Sequence, residues 1–397
     1  SDTGGDKHLL DNFEFSSTSG SIGGMWKKWY ATIGRANYAI EFTKGYGLQD
    51  QMLEKRLIGE AKFLRAVSYF FLVRYFGDVP IQEQDLTTRA PKDEVYDYII
   101  SDFKAARASL PAKSEYPESE LGRATSGAAA AYLAKVYLQR ENWDLAVSYA
   151  DSVINSGEYN LSQPYETIWR EEGENGAGSI FEIQARGENI AHGIQQYSQT
   201  QGGRGTGGWG WGFNTPTQNL VDAFESEGDS IRKDATIIFR GETLYDGFKA
   251  DSGLFNPMYN QKAYSSKFTR AGDSDKNMRL LRFAEIKLIK AEALNELGQT
   301  GPARAPLNDV RARVELDPVT TVDQNELRQA IWKERRLELA FEHDRWFDLL
   351  RTGQAAEAIR NSGNADAVMN FDEHFLLFPI PQEQIRQTPG MKQNPGY

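Results

Sequence analysis

The sequence predicts a mostly α-helical protein in which pairs of helices form a scaffold for an irregular, loop-rich insertion with minor β-structure. Three observations support this prediction. Apolar residues recur at steps of three and four residues along two long blocks of the chain, which is the period of an amphipathic helix. The segment between the blocks lacks this period and concentrates glycine and tryptophan. A set of mainly small residues with the same offsets also occurs twice, once in each block.

The first helical block contains five predicted helices. An apolar stripe predicts the first helix over residues 26–44, and it consists of Trp26, Trp29, Ile33, Ala36 and Ile40. The second predicted helix covers residues 50–76 and ends at Gly77, which suits a left-handed C-cap, while Pro80 prevents continuation. Weaker periodicity predicts three more helices, near 93–109, 127–140 and 142–156.

The insertion is predicted to cover residues 157–280. Its most unusual stretch is 202–212, where seven glycines are interrupted by Trp209 and Trp211. Two short runs with β-forming residues, Ser179–Gln184 and Thr236–Phe239, predict minor strands. Binding residues concentrate in irregular segments of this kind, so we expect the ligand-binding face here.

The second helical block follows, with helices predicted over 281–298, 302–314 and 325–352. Four residues of the first block lie at offsets of 0, 3, 12 and 16: Ala134, Tyr137, Ala146 and Ala150. Four residues of the second block have the same offsets: Ala291, Leu294, Ala303 and Leu307. Small residues at these steps let antiparallel helices approach closely, and a unit of about 34 residues is the tetratricopeptide (TPR) period. We interpret the blocks as TPR-like helix pairs, although an ordinary helical hairpin gives a similar pattern.

Composition and charge exclude several classes of function. The 397-residue chain has a formal net charge of −11, so it lacks the basic surface that binds nucleic acid, and neutral ligands are favoured. Cysteine is absent, which excludes disulfides and thiolate nucleophiles. No apolar run reaches the roughly 18 residues of a membrane span. The four histidines form no close ligand pair, and the acidic loops 171–176 and 272–275 lack EF-hand spacing, so we expect neither metal nor cofactor.

Several short motifs occur in a fixed order along residues 50–397. They are AKFLRA at 61–66 with RYFGDVP at 74–80, RAT at 123–125 with WDLA at 143–146, RFAE at 282–285 with AEALNELG at 291–298, ERRLEL at 334–339 with RWFDL at 345–349, and the ending FPIP at 378–381 with QNPGY at 393–397. Each motif is weak alone, but their joint order resembles the SusD/RagB family.

The resemblance implies a non-catalytic lipoprotein of the outer membrane, on the cell surface, that hands glycans to a SusC-like TonB-dependent transporter. It also implies four TPR-like repeats beneath a variable ligand-binding region. We therefore expect a single SusD-like domain over residues 1–397, with a helical scaffold at 24–156 and 281–353 and the variable region at 157–280. Members of the family normally begin with a lipidated cysteine and an extra N-terminal helix. Because neither is present, we interpret the chain as truncated at its start, with its lipid anchor lost.

The candidate ligand-binding residues are aromatic. An indole offers a flat apolar surface to the C–H face of a sugar, and glycine lets a loop approach a ligand closely. Trp209 and Trp211 alternate with glycine, so in an extended conformation they would share one side. The alternative is that both pack the insertion onto the helices. His192 and Tyr197 lie in a polar stretch suited to hydrogen-bonding sugar hydroxyls, and Phe213 and Tyr245 are the next aromatic candidates.

Two other patterns have simpler explanations. Residues 203–208 match G-x-G-x-x-G, but the following Trp-Gly-Trp cannot open the helix that a dinucleotide site needs. Glu334, Glu338 and Glu342 lie at i, i+4 and i+8, a spacing that would place them on one helix face. Nearby arginines should keep these carboxylates ionised, and we expect a salt-bridge network with the following residues: Arg335, Arg336, Arg345 and Arg351.

The function predicted from the sequence is non-catalytic binding of a neutral oligosaccharide or polysaccharide, of glucan or fructan type. Two alternatives stay open at this point. One is a glycoside hydrolase with helical architecture, which the many aromatic and carboxylate residues would suit. The other is a TPR-type scaffold whose partner is a peptide.

Overall fold

The computed structural model describes residues 5–82, 88–187, 193–194, 196–266 and 275–397. Within these ranges the chain forms sixteen α-helices and four short strands. The helices are α1 (Asp6–Asp11), α2 (Gly20–Tyr46), α3 (Gln51–Phe76), α4 (Lys92–Ser109), α5 (Ser126–Gln139), α6 (Trp143–Ile154), α7 (Gln196–Gln201), α8 (Gln218–Ser226), α9 (Ser230–Thr236), α10 (Phe283–Glu296), α11 (Thr300–Ala312), α12 (Gln324–Glu338), α13 (Arg345–Arg351), α14 (Ala355–Arg360), α15 (Ala365–Asn370) and α16 (Gln382–Gln387). The strands are β1 (Ser179–Ile183), β2 (Ile237–Phe239), β3 (Met258–Asn260) and β4 (Met278–Arg282). The predicted mostly helical class is confirmed.

The chain divides into two compact units. One unit contains Glu118–Gly122 and Arg140–Arg345 and is called here the loop-bearing unit. The other contains the described chain from residue 5 to Pro117, together with Arg123–Gln139 and Trp346–Tyr397. Helices α6, α10, α11 and α12, which were predicted as scaffold, therefore lie in the same unit as the insertion. The predicted single domain and its boundaries at 156 and 280 stay a prediction.

The second unit is built on α2, α3, α4 and α5, with α3 packed against both α2 and α4. Asp50 begins α3 because its carboxylate accepts the backbone N–H groups of Met52 and Leu53, each at 3.0 Å. The helix ends before Gly77, as the sequence predicted, but with φ of 71° and ψ of −125° this glycine does not adopt the left-handed α conformation. Inside this unit the buried guanidinium of Arg65 donates to Asp102 at 2.7 Å.

Three helices of the loop-bearing unit, α10, α11 and α12, share one apolar cluster. Helix α10 packs against α6, α11 and α12. The cluster contains Ala284, Leu288, Ala291, Leu294, Ala303, Leu307, Val310, Leu327 and Ile331. All four residues of the second repeated spacing are thus buried at the contact of α10 and α11, and the prediction of a close helix pair there is confirmed.

One predicted helix, at 325–352, is interrupted. Helix α12 ends at Glu338, α13 begins at Arg345, and Phe341 and His343 between them have positive φ angles of 64° and 74°. The backbone carbonyl of Glu338 accepts donors from outside the helix, namely Tyr165 Oη, Lys262 Nζ and Arg282 Nη2. These donors satisfy a carbonyl at the helix end and let the chain turn without glycine or proline.

Two small antiparallel sheets stabilise the insertion. Strand β1 pairs with β4, and β2 pairs with β3. Strands β1 and β2 confirm the two predicted strands, whereas their partners were not predicted. Because β4 continues to Arg282, helix α10 begins at Phe283, two residues later than the sequence predicted.

Candidate functional site

The glycine-rich stretch forms a folded loop, called here the glycine loop (Gly202–Asn214), that returns along the end of α7. The backbone N–H groups of Trp209 and Gly210 both donate to the carbonyl of Gly203 at 2.8 Å. The N–H of Trp211 donates to the carbonyl of Gln199 at 2.9 Å, and that of Gly212 donates to Gly202 at 2.8 Å. These bonds make the loop an ordered part of the loop-bearing unit.

Trp209 lies in the core of this unit and is 7% exposed. One face of its indole rests on glycine backbone, since a Cβ at Gly202 would lie 2.7 Å from its Cδ1 and a Cβ at Gly203 would lie 2.6 Å from its Cζ3. Other aromatic rings surround it at centroid distances of 5.2, 5.7 and 5.8 Å: Phe248, Tyr259 and Tyr264. The absence of a side chain at Gly202 and Gly203 thus leaves the space that the indole of Trp209 fills.

Trp211 differs from Trp209, because 39% of it is exposed. The expectation that the two indoles share one side was wrong. It assumed an extended strand, whereas Gly207 and Gly212 have positive φ angles of 67° and 75° and bend the loop. Of the two tryptophans, the structure therefore places Trp211 where a ligand can reach the ring.

A second turn, Asp251–Asn256, is held against the glycine loop, and the two are called here the paired loops. Gly205 forms a β-bridge with Leu254, and the N–H of Phe255 donates to the carbonyl of Arg204 at 2.8 Å. The side chain of Asn256 donates to the carbonyl of Gly212 at 3.2 Å. These bonds place the turn that carries Phe255 against Arg204 and against Gly212, the residue that follows Trp211. Phe255 was not predicted from the sequence, although a phenylalanine within a Gly/Asn/Pro turn is a signal of an exposed ring.

Tyr245 forms another aromatic position of the same unit and is 38% exposed. The guanidinium of Arg170 lies 4.4 Å from its ring centroid, and the ring of Tyr264 lies at 5.9 Å. The Tyr264 hydroxyl donates to Asp246 at 2.7 Å. Burial raises the pKa of Tyr245 to about 12, so its hydroxyl stays protonated and can donate a hydrogen bond across the physiological pH range.

The other predicted site residues lie in different settings. Tyr197, in α7, is partly buried, and its ring contacts that of His343 at 6.1 Å. Burial raises the pKa of Tyr197 well above its usual range. Phe213 is also partly buried, at the end of the glycine loop. His192 lies outside the residues that the structure describes.

The three glutamates form a buried ion-pair network. Glu334 pairs with Arg232 and Arg311, and Glu342 pairs with Arg282 and Lys262. Glu338 contacts three guanidinium groups: Arg313, Arg282 and Arg232. Burial alone would raise the pKa of Glu338, but these three cations hold it well below the usual range.

The expected network is confirmed, but three of its predicted partners, Arg335, Arg336 and Arg351, contact other residues. The cations that pair with the three glutamates come from distant positions in the chain. Arg335 lies 3.7 Å from both Glu285 and Glu292, Arg336 donates to Asn219, and Arg351 pairs with Asp348. Residues one or two positions from Glu334 on a helix point to other faces. A carboxylate that is held ionised cannot act as a general acid, so Glu338 is unsuited to the role of the acid in a glycosidase.

Two further properties concern the described part of the chain. Its acidic and histidine side chains include no group of three or more placed to hold a metal ion. None of its helices combines the length and apolar character required to span a bilayer.

Comparisons with known proteins agree with this architecture. The SusD family matches residues 241–397, and a family described as starch-binding and associating with the outer membrane matches residues 7–138. SusD-like protein P2 of Formosa agariphila is 29% identical over 100% of this chain and 84% of its own length. A laminarin-binding SusD-like protein is 27% identical, with a TM-score of 0.81 over 100% of this chain and 90% of that structure. Surface glycan-binding protein A of Bacteroides fluxus is 26% identical, with a TM-score of 0.81 over 98% and 88%.

The fold therefore defines a class of helical scaffold proteins, in which TPR-like helix pairs carry a loop-rich insertion with aromatic residues. The order of motifs, both family matches and the similarity over the whole chain then identify the family. The chain belongs to the SusD/RagB family.

Proposed function

We propose that this protein binds a neutral oligosaccharide on the loop-bearing unit and does not cleave it. The observation that supports this best is Trp211, a partly exposed indole on a loop whose backbone is hydrogen-bonded along its length. A neutral sugar offers no charge to an ion pair, so affinity must come from ring stacking and hydrogen bonds. Relatives whose names refer to laminarin, starch and surface glycans support the choice of a glycan.

The proposed contact residues are Trp211 and Tyr245, with Phe213, Tyr197 and His192 as further candidates. Trp209 has a supporting role in this proposal, because the other rings cover its indole and leave no face for a sugar. The net charge of −11 favours a neutral glucan or fructan over an anionic polysaccharide, since like charges repel.

Binding is tested by affinity electrophoresis against neutral glucans, neutral fructans and one acidic polysaccharide. We expect retardation by at least one neutral polymer and none by the acidic one. Retardation by the acidic polymer alone would contradict the proposed ligand class, and retardation by none of them would contradict glycan binding.

The absence of catalysis is tested on the polysaccharide that binds. Because Glu338 is fully engaged by guanidinium groups, incubation should release no new reducing ends. Release at enzyme-like rates, abolished in Glu338→Gln, would instead support the glycoside hydrolase alternative.

Delivery to a SusC-like TonB-dependent transporter is the second part of the proposal, with the full-length protein held at the cell surface by an N-terminal lipid. A matching family described as associating with the outer membrane supports this location. Expression of the full-length gene, cell fractionation and affinity purification test it. Recovery in the cytoplasm without a co-purifying outer-membrane barrel would contradict the partner and the location.

A further inference from the structure

Phe255 is an exposed aromatic residue held on a well-connected turn. It is 65% exposed, more than any other aromatic side chain among the described residues of the loop-bearing unit. The carbonyl of the preceding residue, Leu254, accepts from Arg240 Nη1 at 3.0 Å. The N–H of the following residue, Asn256, donates to the Tyr259 hydroxyl at 2.9 Å. Leaving a phenylalanine ring exposed to water costs hydrophobic free energy. Because the backbone of this turn is already fixed, a ligand that binds the ring does not have to order the turn, and less entropy is lost on binding.

The side chain of Arg204 lies close to both Phe255 and Gly212, the residue next to Trp211. Its guanidinium carbon lies 5.8 Å from the Phe255 ring centroid. A Cβ at Gly212 would lie 3.0 Å from Arg204 Cβ. A guanidinium presents planar donors, which suit the neighbouring hydroxyl oxygens of a sugar. The exposed rings of Trp211 and Phe255 and the guanidinium donors of Arg204 therefore all lie on the paired loops.

We propose that Phe255 and Arg204 form a second contact for the same oligosaccharide that binds Trp211. The Phe255 ring stacks on the apolar face of one sugar unit, and Arg204 donates hydrogen bonds to hydroxyl groups beside it. The ligand is then a neutral oligosaccharide of at least two units, because Trp211 and Phe255 each cover a separate unit. This inference rests on the proposed glycan-binding function and extends it to residues of the 251–256 turn.

The test is calorimetric titration with the neutral glucan or fructan that retards the wild-type protein, as its monosaccharide and as a defined hexasaccharide. Phe255→Ala should weaken hexasaccharide binding about tenfold or more, as truncation of an aromatic anchor does. Phe255→Tyr should bind as the wild-type protein does, because it keeps the ring. Phe255→Leu should be weakened although it stays apolar. Arg204→Met should also weaken binding, since it keeps the apolar stem and loses the donors.

A matched control exists in the other unit, where Phe42 is 56% exposed on α2. Phe42→Ala should leave hexasaccharide binding unchanged. The melting temperature of Phe255→Ala should stay within about 2 °C of wild type, because truncation at an exposed position changes stability little. Wild-type affinity in Phe255→Ala, together with loss in Trp211→Ala, would overturn this inference while leaving glycan binding intact. Equal affinity for monosaccharide and hexasaccharide would overturn the two-unit ligand, and a wild-type protein that binds no glycan would overturn both proposals.

Discussion

The indole of Trp209 rests directly on the backbone of Gly203, where a Cβ would lie 2.6 Å from indole Cζ3. Real side-chain carbons do not approach this closely, so residue 203 has to be glycine for Trp209 to keep its position. The contact explains the burial of Trp209, and it links the composition of the glycine loop to the packing of its core.

Gly203→Ala should therefore destabilise the protein by about 1–3 kcal/mol, the usual cost of overpacking. Denaturant unfolding followed by fluorescence measures the change. Gly301→Ala is the matched control, because nothing lies within 4 Å of a Cβ there and the position is exposed in α11. Gly301→Ala should leave the free energy of unfolding unchanged or raise it slightly. Equal stability of the two variants would contradict the packing described for Trp209.

The two tryptophans of the glycine loop should respond differently to truncation. Trp209→Ala removes a buried ring and should cost about 3–5 kcal/mol of unfolding free energy. Trp211→Ala should leave the melting temperature nearly unchanged and weaken glycan binding about tenfold or more. Thermal melts and calorimetric titration of both variants check this. Full affinity and a collapsed melting temperature in Trp211→Ala would mean that Trp211 is structural.

Ala291 is fully buried where α10 packs against α11, so a larger side chain has no room there. Ala291→Leu should lower the unfolding free energy by about 1–3 kcal/mol. Ala305→Leu, at an exposed position of α11, is the control and should change it by less than about 0.5 kcal/mol. An unchanged melting temperature in Ala291→Leu would contradict the close approach of these helices.

Glu174 should make stability depend on pH. Burial raises the pKa of Glu174 to about 7, although Arg279, at 3.2 Å, opposes this shift. The folded state therefore binds the proton more tightly than the unfolded state. As pH rises from about 4.5 to 7, the unfolded chain releases this proton first, and the contribution of Glu174 to stability falls.

We expect the wild-type protein to lose about 1–3 kcal/mol relative to Glu174→Gln between pH 5 and pH 8. Urea unfolding at several pH values measures the difference. Glu172→Gln, at an exposed carboxylate two positions away, is the control for the substitution itself. Parallel profiles for wild type and Glu174→Gln would show that Glu174 titrates normally.

Local structure was largely predictable from the sequence. Helices α4, α5 and α6 match their predicted ranges within two residues, because amphipathic periodicity and caps are properties of neighbouring residues. The Asp50 cap and the Gly77 terminus of α3 are local in the same way. The close pairing of α10 and α11 was also predictable, since small residues at helical spacing are visible without the fold.

The burial of individual side chains and the identity of ion-pair partners required the tertiary structure. Trp209 and Trp211 have nearly the same local sequence, yet Trp209 is buried against Phe248, Tyr259 and Tyr264, which are distant in the chain, while Trp211 is 39% exposed. Helix α12 ends at Glu338, and donors from Tyr165, Lys262 and Arg282 satisfy the carbonyl at this end. Periodicity records the preferences of neighbouring residues, whereas these contacts join segments separated by tens of residues. Their geometry exists only once the chain has folded.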